Sequence, residues 1–118
     1  MLIINNEQLN AFQEDRVRQL REWLLPHVRK HFTLQVAGMD DDDLAGLIGE
    51  SVARARSLGA SESENVCQFV HLKVLFGEGL EGLPWAAGPL ADKELSGDAK
   101  INLLAQHARI ALRTGGPA

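Results

Sequence analysis

Leu9, Phe12, Val17, Leu20, Leu24, Val28 and Phe32 follow one another at three to five residues, mostly four. Only an α-helix gathers that spacing into one slowly drifting face. A start signal precedes the stripe: Asn5 is placed to cap, Gln8 sits at N3 as in a capping box, and Ile4 can staple onto Leu9. Trp23 and Leu25 widen the apolar face beside Pro26. Proline inside a helix removes an amide donor and crowds the preceding turn, at a cost of about 3 kcal/mol in an unbent helix. The spacing therefore predicts one long helix over residues 6–32, kinked at Pro26, with two consecutive helices as the alternative.

The same grammar recurs. Asp40 can cap a second helix, Asp41, Asp42 and Asp43 face the positive end of its dipole, and Met39 can staple onto Leu44. Leu44, Leu47, Ile48, Val52 and Ala55 form its inward stripe, and Gly59 is suited to the left-handed turn that closes it near Leu58. Ser61 and Glu64 read as another capping box, opening a third helix that ends at Phe76 before Gly77. Val66, Phe69, Val70, Val74 and Phe76, with Leu72 and Leu75, cover more than one side of this helix, which predicts a central position. The segment GEGLEGLPWAAGPLADKELSG, residues 77–97, is the least helical part, although Pro84 suits the first turn of a short helix over 84–91. Ser96 can cap a last helix over residues 97–113, with Ile101, Leu104, Ala105, Ala108, Ala111 and Leu112 inward. The only strand signal is the weak Leu2-Ile3-Ile4, so the expected fold is all-α: four main helices and a short one.

At 118 residues the chain has the size of a single domain able to bury a core without disulfides or metals, expected over residues 1–113 with 114–118 as a frayed tail. No apolar run reaches the roughly 18 residues needed to span a bilayer, and MLIINNEQLN has no cationic leader, so a cytoplasmic protein without membrane contact is expected. The net charge of −4 is local: residues 40–64 carry seven acidic side chains against two basic ones. The cations of the first helix, Arg16, Arg18, Arg21, Arg29 and Lys30, read as a solvated face with pairs such as Glu14 to Arg18. Without a concentrated basic surface or a set of stacking aromatics, nucleic acid is not an expected partner.

Sites for chemistry are incomplete. His27 and His31 share a helix face at the spacing used by zinc ligands, but the run HVRKH has no third ligand and places Arg29 and Lys30 nearby. The aspartate run fails as a calcium loop, because Leu44-Ala45-Gly46 follows where ligands should alternate. Cys67, the only cysteine, sits among Val66, Phe69 and Val70 as a small buried hydrophobe, and its pairing with His71 four residues on is read as packing. Gly77, Gly79 and Gly82 have the G-x-G-x-x-G spacing, yet they follow a helix and include Glu78 and Glu81, which would repel a pyrophosphate. No enzyme activity, cofactor or metal is expected.

Order as well as content carries a family resemblance. An I-x-x-E-Q-x-x-A-F opening, Ile4 to Phe12, leads a helix ending in His31-Phe32; ESVARARSLGASESENVCQFV follows, and then GLPWAAGPLAD. In this the chain resembles short helical accessory proteins encoded in bacterial type VI secretion effector clusters, near effector chaperone genes. It departs from their pattern before Leu83, where GEGLEG is glycine-rich and short. The resemblance implies binding without turnover: a co-chaperone or adaptor that holds an effector or its chaperone, or alternatively an immunity protein against a cognate toxin. The candidate protein-binding residues are Leu83, Trp85 and Leu90, then Trp23 and Phe32 as a second set. Asp40, Asp41, Asp42 and Asp43 are the candidates for capturing a basic toxin. Trp85 is expected either as a lid over the last helices or as an exposed anchor, and the stoichiometry is open.

Overall fold

The computed structural model describes residues 6–113, with side chains described from Glu14 onward. It contains α1 (Asn6–His31), α2 (Asp41–Ser57), α3 (Ser63–Phe76), a 3-10 turn (Gly77–Gly82), α4 (Pro84–Ala91) and α5 (Gly97–Arg113), and no strand among the described residues. The expected cap at Asn5 and staple at Ile4, the strand signal at 2–4 and the tail 114–118 lie outside those residues. Helix α1 runs through Pro26 without interruption, so the alternative of two helices is not what forms.

Helix α3 is the hub, packing against α1, α2, α5 and the 3-10 turn. Phe69 and Val70 are fully enclosed, in a core shared with Leu24 and Val28 of α1, Leu44, Ile48 and Val52 of α2, and Ile101 and Leu104 of α5. The expected inward positions of α5 hold at Ala105, Ala108 and Ala111. Leu112, expected inward, is 54% exposed. It follows the buried Ala111 by one residue, or about 100° of helix, and so is turned off the packed face.

Local chemistry explains the ends of these helices. The Asp40 carboxylate accepts the Asp43 amide at 2.7 Å, as a cap should. Arg29 ties down the preceding loop, donating to the carbonyls of Val36 (3.2 Å) and Met39 (2.8 Å) and to the Asp41 carboxylate (2.8 Å). Ser96 Oγ accepts the Ala99 amide at 3.1 Å and caps α5. In place of the expected Glu14–Arg18 pair, Arg18 bonds Asp15 one turn before it, and Gln19 also donates to that carboxylate.

The third helix starts differently from expectation. Ser61 does not cap it; Glu62 is the capping residue and makes no side-chain cap bond. The acceptor comes from α5. The Asp98 carboxylate takes the Ser61 hydroxyl (3.0 Å), the Ser61 and Glu62 amides (3.2 Å each) and the buried Asn65 amide group (3.0 Å). A carboxylate at a helix N-terminus answers both the orphan amides and the dipole, which a single hydroxyl does less well. Burial opposes the charged form of Asp98, but the bonds from Asn65, Glu62 and Ser61 outweigh it and hold the carboxyl below its usual range. Gln68 extends the network by donating to Asn65 (3.0 Å) and to Asn102 of α5 (3.2 Å).

The glycine-rich segment is ordered more than its composition suggests. Gly77, at φ +72°, ends α3, and residues 77–82 then wind into the 3-10 turn. Leu80 is fully buried, and Glu81 binds Arg54 of α2 (2.6 Å) and Lys73 of α3 (3.4 Å). Hydrogen bonding from Arg54, helped by its charge and that of Lys73, lowers the Glu81 pKa against the opposing effect of burial.

Two expected outcomes follow for folding. A Cβ at Gly97 would overlap the backbone of Gly59 and Ala60 where α5 meets the α2–α3 turn, and Gly59 has φ +100°. Backbone cannot yield as a side-chain tip can, so Gly97→Ala should destabilise by at least about 2 kcal/mol in urea titration, despite the better helix propensity of alanine. Asp98→Asn should cost about 1 kcal/mol at pH 7, a figure discounted for partial exposure. Because folding depresses the Asp98 pKa, its contribution is complete above about 3.9, the usual value, and fades as pH falls through the folded value. The variant should therefore lose part of the acid sensitivity of the wild type between pH 5 and pH 2, as followed by circular dichroism.

Candidate functional site

Helix α1 carries two stripes. Leu24 and Val28 point into the core, whereas Arg16, Leu20, Trp23, His27 and His31, at spacings of three and four, lie along an adjoining stripe. Towards the C-terminal end this second stripe meets α3 through a set of rings. Trp23 stacks on His27 with centroids 4.4 Å apart and planes at 22°, and His27 stacks on His71 of α3 at 5.2 Å and 22°. His31 tilts against His27 at 4.5 Å, and Phe32 against His71 at 5.0 Å. The cluster is anchored inside and open outside: Trp23 keeps 53% of its surface exposed, while His71 Nε2 is buried with no hydrogen-bond partner.

The environments of His27 and His71 favour neutral imidazoles. Burial lowers the His71 pKa, with His27 and His31 adding to the effect, and burial together with His31 and Lys30 lowers that of His27. Three histidines in one cluster invite a metal reading, but stacked rings present faces to one another, and ligation needs ring nitrogens converging on a point. Among the described residues no group of three or more His, Cys, Asp or Glu is placed to hold a metal ion. Cys67 is half-buried, and burial raises its pKa, away from the thiolate a nucleophile needs.

Nearer its N-terminal end the stripe borders an open groove of about 490 Å³, lined by Arg16, Val17 and Leu20 together with residues of α2, the α2–α3 turn and the start of α3. Compared with protein-family models, curated proteins and solved structures, the chain matches none. No helix among the described residues is long and apolar enough to cross a membrane.

The sequence-based candidates separate into three groups. Trp23 and Phe32 come together in the ring cluster, Phe32 half-buried. Leu83, Trp85 and Leu90 are all partly buried against the core; Trp85 meets Phe76 edge-on at 5.3 Å, and its Nε1 is enclosed without a partner. All four aspartates are exposed; Asp40 is a cap and Asp41 is bound by Arg29, and the carboxylates of Asp42 and Asp43 take no part in those bonds. The sequence reading paired His27 with His31 and Cys67 with His71, and missed that His71 joins the first pair. It also gave no weight to Leu34, which is 88% exposed beyond α1.

The cluster makes a prediction about pH. A histidine whose folded pKa lies below its ordinary 6.5 stabilises the fold fully above that value. As pH falls below it, the unfolded chain takes up protons that the folded chain resists, and stability declines. Urea midpoints should therefore fall from pH 7.5 to pH 5.5, and His71→Phe, which keeps a ring and removes a titrating group, should flatten the decline. An unchanged slope in that variant would exclude His71 as a contributor.

Proposed function

We propose that this chain is a non-enzymatic binding protein, a co-chaperone or adaptor that holds a type VI secretion effector or its chaperone. The observation that carries the reading is Trp23: a large aromatic side chain, more than half exposed, held in place by a stack of rings reaching into the core. Tryptophan is prominent among residues that dominate binding energy, and one already immobilised loses little entropy when a partner covers it. The partner class comes from the family resemblance of the opening segment, the polar restart at residues 59–64 and the LPWA run. Binding through Trp85 has less support, since that ring is packed on Phe76 and its polar nitrogen is enclosed.

The alternative, an immunity protein that neutralises a toxin through the acidic segment, draws on Asp42 and Asp43 after Asp40 and Asp41 are engaged in the fold. Two carboxylates outside those bonds give modest steering towards a basic surface, which screening by salt weakens further.

The two tryptophans separate stability from binding. Trp85→Ala should lower stability by about 3 kcal/mol, as truncation of a packed aromatic does. Trp23→Ala should stay within about 1 kcal/mol of the wild type, the worth of an aromatic stack, and should abolish co-elution with the effector or chaperone encoded in the same cluster. Full retention by Trp23→Ala would move the anchor elsewhere. Failure of the wild type to co-elute with either protein, with protection of a susceptible host from the toxin, would replace the adaptor by the immunity protein.

A further inference from the structure

We propose that the groove beside the N-terminal half of α1 takes an acidic amphipathic segment of the protein partner; this rests on the reading of the chain as a binding protein. Its apolar lining comes from three helices and a turn: Val17 and Leu20 of α1, which are half-buried, and the buried Val52 of α2, Ala60 in the turn and Val66 of α3 behind them. Its volume of about 490 Å³ is many times the roughly 30 Å³ of a liquid water, so it has room for several side chains. Such a trough suits the apolar face of a segment, as in helix-in-groove recognition.

Charge decides which segment. The charged side chains lining the groove, among the described residues, are Arg16 and Arg56, one on each bank. No carboxylate is among the described side chains that line it, in a chain whose net charge is −4, and the Asp98 carboxylate beside it is engaged by Ser61, Glu62 and Asn65. The Ser63 hydroxyl adds a polar group to the lining, whereas those of Ser57 and Ser61 are given to the Arg54 carbonyl and to Asp98. The same stripe of α1 continues from Arg16 through Leu20 to Trp23, about 10 Å further along the helix axis, and then to His27 and His31, with Lys30 acting on His27. A segment with apolar residues on one face and Asp or Glu along its flanks would fill the trough, meet arginine on both sides and end against Trp23. A basic segment would meet like charge at both arginines.

The test uses the full chain, labelled for amide NMR, and two synthetic helical peptides that share one leucine stripe, flanked by Glu in one and by Lys in the other. The Glu peptide should shift the amides of Val52, Ala60 and Val66 and bind about tenfold tighter than the Lys peptide. Arg56 is exposed and belongs to none of the ion pairs that tie the helices together. Arg56→Glu should thus fold normally and reverse the preference between peptides, and Arg56→Gln should weaken the Glu peptide without favouring the Lys one. Equal binding of both peptides, shifts confined to other surfaces, or no shifts at millimolar peptide would overturn the proposal. Co-elution keeps the two readings apart. If the partner binds the wild type and Arg56→Glu equally, the groove is not its seat although the binding reading stands; if the peptide preference holds and no cluster protein co-elutes, the groove stands and that reading falls.

Discussion

The contact between Gly97 and Gly59 is the constraint on which the arrangement of the other helices depends. Because Gly97 has no Cβ and Gly59 takes φ +100°, the start of α5 lies directly on the backbone of the α2–α3 turn. That approach brings Asp98, the next residue, within hydrogen-bond reach of the exposed amides that open α3. The register then propagates: Asn65 meets Asp98 at one level, and Gln68 meets Asn102 at the next, one turn along each helix. With α5 fixed against α3, Ile101 and Leu104 close the core, and α4 and the 3-10 turn are folded beside them.

The other side of α3 is covered less completely. The Cα positions span 55 × 38 × 17 Å, a slab in which two helical layers, each about 10 Å across with side chains, exhaust the thickness. A helix on the edge of such a slab has neighbours on one side alone. Helix α1 packs on α2 and α3 and has no packing against α4 or α5. Its C-terminal half is fastened by rings and by Arg29, whereas Arg16, Val17 and Leu20 line the groove. One amphipathic helix thereby serves both as a wall of the core and as the exposed edge on which recognition is argued.

Helix positions were legible because their signals are local. The aspartate at 40, the glycines at 59 and 77, the proline at 84 and the serine at 96 each act within a few residues, and the structure uses all of them. The start of α3 was misread because its acceptor lies 33 to 37 residues away, and no local pattern announces a carboxylate from another helix. The glycine-rich segment misled for a related reason. Leu80 and Glu81 find long-range partners that offset the backbone freedom of their glycine neighbours. Within the candidate site, Trp23 and Phe32 could be named from the sequence, but their union with His71 depends on how α1 lies across α3. The groove depends on the same placement.

Net charge is a poor guide to what this surface attracts. The acidic excess lies in residues 40–64, and much of it is spent on structure: Asp40 holds an amide and Asp41 holds the arginine that fastens the α1–α2 loop. The carboxylates of Glu81 and Asp98 are engaged in joining elements as well. Of the arginines at the groove, Arg56 makes no such bond between elements, and both stand at the solvent-exposed margin of the groove. Over distances beyond the Debye length of about 8 Å at physiological salt the chain presents little of its net charge, so the pattern of charges close to the contact decides the partner. By that criterion a protein that is acidic on average offers a cationic, apolar-floored seat along α1.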